Sequence, residues 1–367
     1  MKYLDEFRDS KLAKKLVEEI RIITTQRWVV MDVCGGQTHS LLRHGIEEAL
    51  EDCIELIHGP GCPVCVTPIE AIDLAQNLAM RPEIVVTTFG DMLRVPGSRD
   101  SLLGARSRGG NVRAVYTPMD AVKLAQQMPD RQIVFFAVGF ETTSPATALA
   151  VLQADRLGLN NFSLIVAHVR VLPAMEALML AEGNRVQGFL GAGHVCTITG
   201  LEEYHPFVDR FRVPVVVTGF EPIDLLHGIR EVVRQLQSGS SERSELVNCY
   251  ARSVRKDGNA FAKDAMAQVY EVVDAPWRGL GIIARGGLQI VHRYRHFDAR
   301  HRFSNPQPLQ IVEELRCRSG DVLAGRIKPT GCPEFGSTCR PEQPLGAPMV
   351  SSEGACAAYY RYQSAPL

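Results

Sequence analysis

Trp28-Val-Val-Met-Asp-Val-Cys34-Gly-Gly-Gln-Thr-His39 opens the stretch that decides the fold, and Ile54-Glu-Leu-Ile-His58 followed by Gly59-Pro-Gly-Cys62-Pro-Val-Cys65 completes it. Each half is an apolar, β-rich run, then a glycine turn, then a helical pattern. That alternation is the signature of a parallel α/β sheet. In the first half, Gly35 and Gly36 permit a tight turn. Thr38 can cap a helix running to about Leu50. Cys34 then sits near a helix N-terminus, where unpaired N–H groups favour thiolate over thiol. His39 is close enough in sequence to act as base or second ligand. The plainer alternative makes Cys34 a small buried hydrophobe and His39 a surface residue.

The second turn carries a C-x-x-C, Cys62 and Cys65, just before Thr67-Pro68-Ile69-Glu70. Those four residues read as an N-cap, a proline at the first helical position and a capping glutamate. A dithiol at a helix start reads as a redox pair in a reducing compartment. Half of a zinc site, or an inert pair, are the other readings.

Working outward, strand-like runs recur at 28–33, 54–58, 83–88 and 112–116, and again at 132–138, 162–168, 186–191 and 213–218. Three short echoes link the two sets. Val30–Thr38 compares with Phe136–Ser144, His58–Cys62 with Leu190–His194, and Val86–Gly90 with Val217–Glu221. The expectation is two Rossmann-like parallel-sheet domains, 28–128 and 129–228, related by pseudo-symmetry with their loop ends facing one cleft. A third, mainly helical and irregular domain would combine 1–27 with 229–367. Asp91 follows a strand, where ligands bind in open α/β sheets, although it can equally pair with Arg94. No loop carries a full G-x-G-x-x-G with a ribose acid, so a dinucleotide site is poorly supported. Residues 98–110 read as a mobile loop, 5–22 as a helix and 229–275 as mainly helical with a polar break at 237–242. His194 either faces the cleft or is an ordinary loop histidine, and Cys53, Cys196 and Cys249 read as structural.

The 367 residues suffice for two or three domains. A net charge of −1 supplies no electrostatic grip on nucleic acid or a membrane surface. The arginine-rich run His292–Arg302 is expected to be a solvated surface rather than an RNA site. No apolar run is long enough to span a bilayer, and the charged start lacks a signal region. Ten cysteines without such a signal point to the cytoplasm, as metal ligands or catalytic thiols rather than disulfide staples.

Cys317, Cys332, Cys339 and Cys356 lie among glycines and prolines in a segment with little core of its own. A four-thiolate metal site would cross-link such loops. The spacings match neither paired zinc knuckles nor the tight ferredoxin run, so zinc and iron–sulfur both remain, with a lean to iron–sulfur because a redox dithiol lies elsewhere.

Together Cys34-Gly-Gly-Gln-Thr-His39, Gly59–Cys65, Thr88–Gly97, Gly139–Thr143 and Met349–Cys356 resemble the HypD family of nickel–iron hydrogenase maturation proteins, in family order. The resemblance implies an accessory factor rather than a conventional turnover enzyme. It implies a scaffold, working with the chaperone HypC, on which a transient iron gains cyanide and CO ligands, cyanide arriving from HypE. Carried over by motif, Cys34 holds the iron with His39 beside it. Cys62 and Cys65 form the redox pair, and Cys317, Cys332, Cys339 and Cys356 hold a 4Fe–4S cluster. Asp91, Thr142, Thr143 and Glu353 stand in supporting positions within the motifs. A thiol–disulfide oxidoreductase acting alone is the alternative function.

Overall fold

The structure is a computed structural model that describes residues 5–238, 244–303 and 316–362. Its strands are β1 (Trp28–Asp32), β2 (Ile54–His58), β3 (Ile84–Thr88), β4 (Val112–Ala114), β5 (Gln132–Gly139) and β6 (Phe162–His168). They continue with β7 (Gly188–Ala192), β8 (Val215–Thr218), β9 (Leu246–Asn248), β10 (Tyr270–Trp277) and β11 (Gly281–Ile290). All eight expected strands are present, with ends within two residues. Most of their valines and isoleucines are buried because helices cover both faces of a parallel sheet.

The strands form two parallel sheets, but not the two expected from the order of the chain. One sheet runs β2-β1-β7-β8-β9 and the other β4-β3-β5-β6. Residues 28–58 therefore pair with 188–248, and residues 84–168 make the second sheet. The expected division at residue 128 does not separate them. The physical reason is that a parallel strand reaches its partner through a long crossover, so local pattern fixes the kind of element and not its neighbour. The echoed stretches do not sort one per sheet either. Those at the ends of β2 and β7 lie in the same sheet.

Several local expectations change for definable reasons. The helix Gly35–Arg43 begins earlier than expected: Cys34 is its N-cap, and the Thr38 hydroxyl inside it donates to Asp32 at 2.6 Å. A left-handed Gly45 ends it before the short helix Ile46–Ala49. Pro68, not Thr67, caps the Ile69–Ala79 helix, because the Thr67 hydroxyl turns back to the Pro63 carbonyl. Thr117-Pro-Met-Asp120, which opens a later helix with a similar sequence, does form the capping box. The 98–110 segment contains the helix Leu102–Ser107, capped by Ser101. Residues 229–275 include β9 and the start of the antiparallel β10–β11 hairpin, while residues 239–242 of the polar break lie outside the described residues.

The N-terminal helix Ser10–Ile23 buries Leu16 and Ile20 against Leu226, Ile229 and Val233 of the helix Pro222–Gln237. Each such side chain contributes about 1.5–3 kcal/mol. It therefore belongs with the first sheet rather than with the cysteine-rich C-terminal segment. That segment packs between the two sheets: Ala347 and Val350 join the core of the second, and Ala358 and Tyr359 cover Leu42 beside the first. The basic run His292–Arg302 buries Tyr294 and Phe297, and Arg302 donates to the carbonyls of Phe162 and Asn160. No described helix is long and apolar enough to cross a membrane.

Candidate functional site

In each sheet the chain winds away from a central pair of neighbouring strands in opposite directions. The central pair is β1 and β7 in the first sheet and β3 and β5 in the second. Crevices at the carboxyl ends of such pairs are where open α/β sheets bind ligands. Here the two crevices share one cleft of about 400 Å³. Cys34 follows β1 and His194 follows β7 on one wall. Asp91 follows β3, and Thr142 and Thr143 follow β5, on the other. Glu353, from the C-terminal segment, completes the lining.

Cys34 Sγ lies 3.1 Å from His194 Nε2. The imidazole is stacked on Phe220, with ring centroids 4.0 Å apart and 18° between planes. Phe220 is anchored by the Ser40 hydroxyl, which donates to its carbonyl at 2.6 Å. Burial holds His194 below the ordinary imidazole range, so its ring is neutral at pH 7. The expected thiolate at Cys34 does not follow. Burial, then the nearby Glu353 carboxylate, pushes the thiol up to about 12, outweighing the N–H groups of Gly36 and Gln37. The helix start gives what the sequence indicated, but desolvation is the larger effect.

The Cys62–Cys65 loop forms the floor beside Cys34. Gly61 accepts a bond from Gly35 N–H at 3.0 Å, and a Cβ on Gly61 would lie 2.3 Å from the Cys34 nitrogen. Only glycine lets the two loops touch there. Cys62 and Cys65 are joined as a disulfide, both sulfurs buried in the same apolar cluster as Cys34. Pro63 and Val64, between them, line the cleft.

Glu353 is carried by a loop fixed from the second sheet. Arg94 donates to the Val350 carbonyl at 3.2 Å, and Ser352 donates to Asp91 at 3.3 Å. Asp91 and Arg94 thus each hold this loop rather than each other. Burial, with Asp91 nearby, raises Glu353 above the usual carboxylate range. His39 contacts the C-terminal segment at Tyr362. Its Nε2 is 2.7 Å from the Tyr362 hydroxyl, and it is not part of the cleft wall. The histidine in contact with Cys34 is therefore His194, 160 positions away in sequence, and not the neighbouring His39. The glycine turn Gly191-Ala192-Gly193 before His194, echoing the turn at Cys62, was the signal available.

Beneath the site lies a buried charge network that the sequence did not reveal. Asp32 is 2.5 Å from His58 Nδ1, and His58 Nε2 is 3.2 Å from both Glu47 and the Tyr359 hydroxyl. Tyr359 and Lys328 donate to Glu47 at 2.6 and 2.5 Å. Burial opposes charge on His58, but Asp32 and Glu47 outweigh it and raise the imidazole to about 9. Burial likewise opposes charge on Glu47, but His58, Lys328 and Tyr359 bring the carboxyl down to about 2.

Cys317, Cys332, Cys339 and Cys356 all line one small cavity of about 20 Å³, walled by Val322, Phe335, Leu345, Pro348 and Met349. Cys317, Cys332 and Cys339 come from irregular chain and Cys356 from the start of the Ala355–Tyr362 helix. Among the described residues no three metal-ligating side chains converge closely enough to hold a single ion. The donor set is four thiols in an apolar shell. Leu345 N–H reaches Cys339 Sγ at 3.4 Å, a contact of the kind that tunes cluster sulfurs. Cys53 and Cys196 are buried away from this cavity and from the cleft wall, and Cys249 is half-buried.

Comparison with known proteins follows the same lines. A family model named HypD, described as the hydrogenase formation hypA family, matches residues 11–363. The hydrogenase maturation factor HypD of Escherichia coli (strain K12) is 43% identical over 371 residues, covering 99% of this chain and 98% of that protein. That of Rhodobacter capsulatus is 45% identical over 376 residues, covering 100% and 99%. The hydrogenase expression/formation protein HupD of Azotobacter chroococcum mcd 1 is 45% identical over 371 residues, covering 99% and 97%.

Proposed function

The chain belongs to the HypD family of hydrogenase maturation factors, and from that premise we propose that its cleft is a redox-active scaffold for assembling the Fe(CN)2CO group of a nickel–iron hydrogenase. The iron is cargo, held transiently by Cys34. A HypC-type chaperone shares it, and a HypE-type protein donates the cyanide. The observation that carries this reading is the meeting of two cysteine sites, Cys34 and the Cys62–Cys65 loop, at one cleft whose rim leads in sequence to the third. Cys34 is in its wall, the Cys62–Cys65 loop forms its floor, and Glu353 of its rim is three residues from Cys356. Fe(II) with strong-field ligands accepts a soft thiolate, which suits Cys34.

The four cysteines around the mainly apolar cavity fit a 4Fe–4S cluster: they are four soft donors brought to one cavity. Cys317, Cys332, Cys339 and Cys356 would hold it, and when bound it would supply electrons one at a time. The mainly irregular segment around them would then be an iron–sulfur unit.

The protein's own dithiol does the two-electron work. As the Cys62–Cys65 bond forms, two thiols give up two electrons and two protons. The carbon–sulfur bond of a thiocyanate on the donor protein takes them and breaks, leaving a thiol and hydrogen cyanide. Cyanide then loses its proton on binding iron at Cys34. The buried disulfide is the oxidised end of this step. A stand-alone thiol–disulfide oxidoreductase, the alternative, would reduce model disulfides without any partner.

A strain lacking its own HypD, supplied with this chain carrying Cys62→Ala, tests the redox role. The proposal expects no mature nickel–iron hydrogenase. Normal hydrogenase activity with that variant would contradict it.

A further inference from the structure

We infer that His194, not His39, supplies the second protein ligand to the iron held at Cys34. The inference rests on the reading of Cys34 as the iron-holding residue and adds a donor that the sequence motifs do not assign. His194 Nε2 stands 3.1 Å from Cys34 Sγ. Metal–sulfur and metal–imidazole bonds of about 2.3 and 2.0–2.1 Å, meeting at a right angle, place the two donor atoms about 3.1 Å apart. The pair is therefore spaced as two adjacent corners of an octahedron. The ring cannot swing freely, because Phe220 is stacked on its face and Phe220 is itself held through its carbonyl by Ser40. Both donors sit at the carboxyl ends of neighbouring strands, β1 and β7, and both face the cleft.

His39 lacks each of these properties. Its Nε2 is engaged by Tyr362 and it does not line the cleft. Two protein donors from this chain would leave the other corners to cyanide, CO and the chaperone. Such a partial ligand set suits cargo that must leave.

The test uses the full chain, purified without air and loaded with one equivalent of cobalt(II) in place of ferrous iron. X-ray absorption at the cobalt edge reads this site without interference from iron elsewhere. The expected spectrum contains one sulfur and one imidazole. His194→Ala and the bulk-preserving His194→Gln should both remove the imidazole signal and weaken cobalt binding at least about tenfold. His39→Ala should change neither. The inference is overturned if a His194 variant that folds, judged by circular dichroism, keeps the imidazole signal and the affinity, or if His39→Ala is what removes them. Cys34→Ser separates the two levels of the argument. If it leaves the sulfur signal and affinity intact, the iron-holding role of Cys34 fails, and this inference with it.

Discussion

Tyr359 donates a hydrogen bond to Glu47 at 2.6 Å, and this bond fastens the helix that begins beside Cys356 to the segment between β1 and β2. Tyr359 is fully buried, and the Glu47 oxygen it meets also receives Lys328. Tyr359→Phe removes the hydroxyl, with its bond to Glu47 and its contact with His58 Nε2, and leaves the Asp32, His58, Glu47 and Lys328 side chains present. It should lower stability by about 1–3 kcal/mol, read from the denaturant midpoint. An unchanged midpoint would mean that the helix is held by apolar packing alone.

The same network makes stability depend on pH in a stated direction. His58 is raised from 6.5 to about 9 in the folded protein, so the folded state holds a proton that the unfolded chain has lost. Its contribution is complete below pH 6.5 and disappears as the pH rises through 9, with a slope of up to about 1.4 kcal/mol per pH unit. His58→Gln should flatten the unfolding midpoint across that window. Glu47 acts at the other end: its contribution is present above pH 4.5 and is lost as the pH falls through about 2.

Gly61→Ala tests the contact between the two cysteine loops. The added methyl would lie 2.3 Å from the Cys34 nitrogen and 2.4 Å from its Cα, and backbone atoms cannot step aside as a flexible side chain can. The variant should lose about 1–3 kcal/mol and displace Cys34 from His194. Thermal unfolding reads the first effect, and crystallography of the variant reads the second. Wild-type stability with Cys34 in place would show that the loops have slack.

Metal-free Cys34 should be a slow nucleophile. With its thiol pushed up to about 12 by burial and Glu353, the thiolate fraction near pH 8 falls at least about a hundredfold below that of an ordinary cysteine. Peptide mass spectrometry after timed alkylation should find Cys34 modified far more slowly in the folded chain than in the unfolded one. Equal rates would place a thiolate at the helix start, as the sequence alone suggests.

What could be read from the sequence follows from which forces are local. β-Branched runs marked eight of the nine strands of the two parallel sheets, and only the short β9 was missed. The residues just after those strands, Cys34, Asp91, Thr142 and Thr143, proved to be neighbours because parallel strands bring their carboxyl ends together. The partition of strands between sheets was not legible, because β1 finds β7 across more than 150 residues of intervening chain. The echoed glycine turn brought His194 forward as a residue that could face the cleft, but its contact with Cys34, 160 positions away, was not legible. The state of the Cys34 thiol was misjudged for a related reason: a helix start is visible in a sequence, and the burial that outweighs it is not. Asp32, Glu47, His58, Lys328 and Tyr359 each look ordinary in isolation and become a charge network only once the C-terminal segment folds back onto the first sheet.

The most direct test of the central claim is the infrared spectrum of the chain purified without air from cells making nickel–iron hydrogenase. Cyanide and CO bound to iron absorb where protein does not. The account predicts those bands in the wild-type chain and their loss in Cys34→Ser at equal protein concentration. Bands of equal strength in Cys34→Ser, or none in either protein while hydrogenase still matures, would contradict the assembly of the iron group at this cleft.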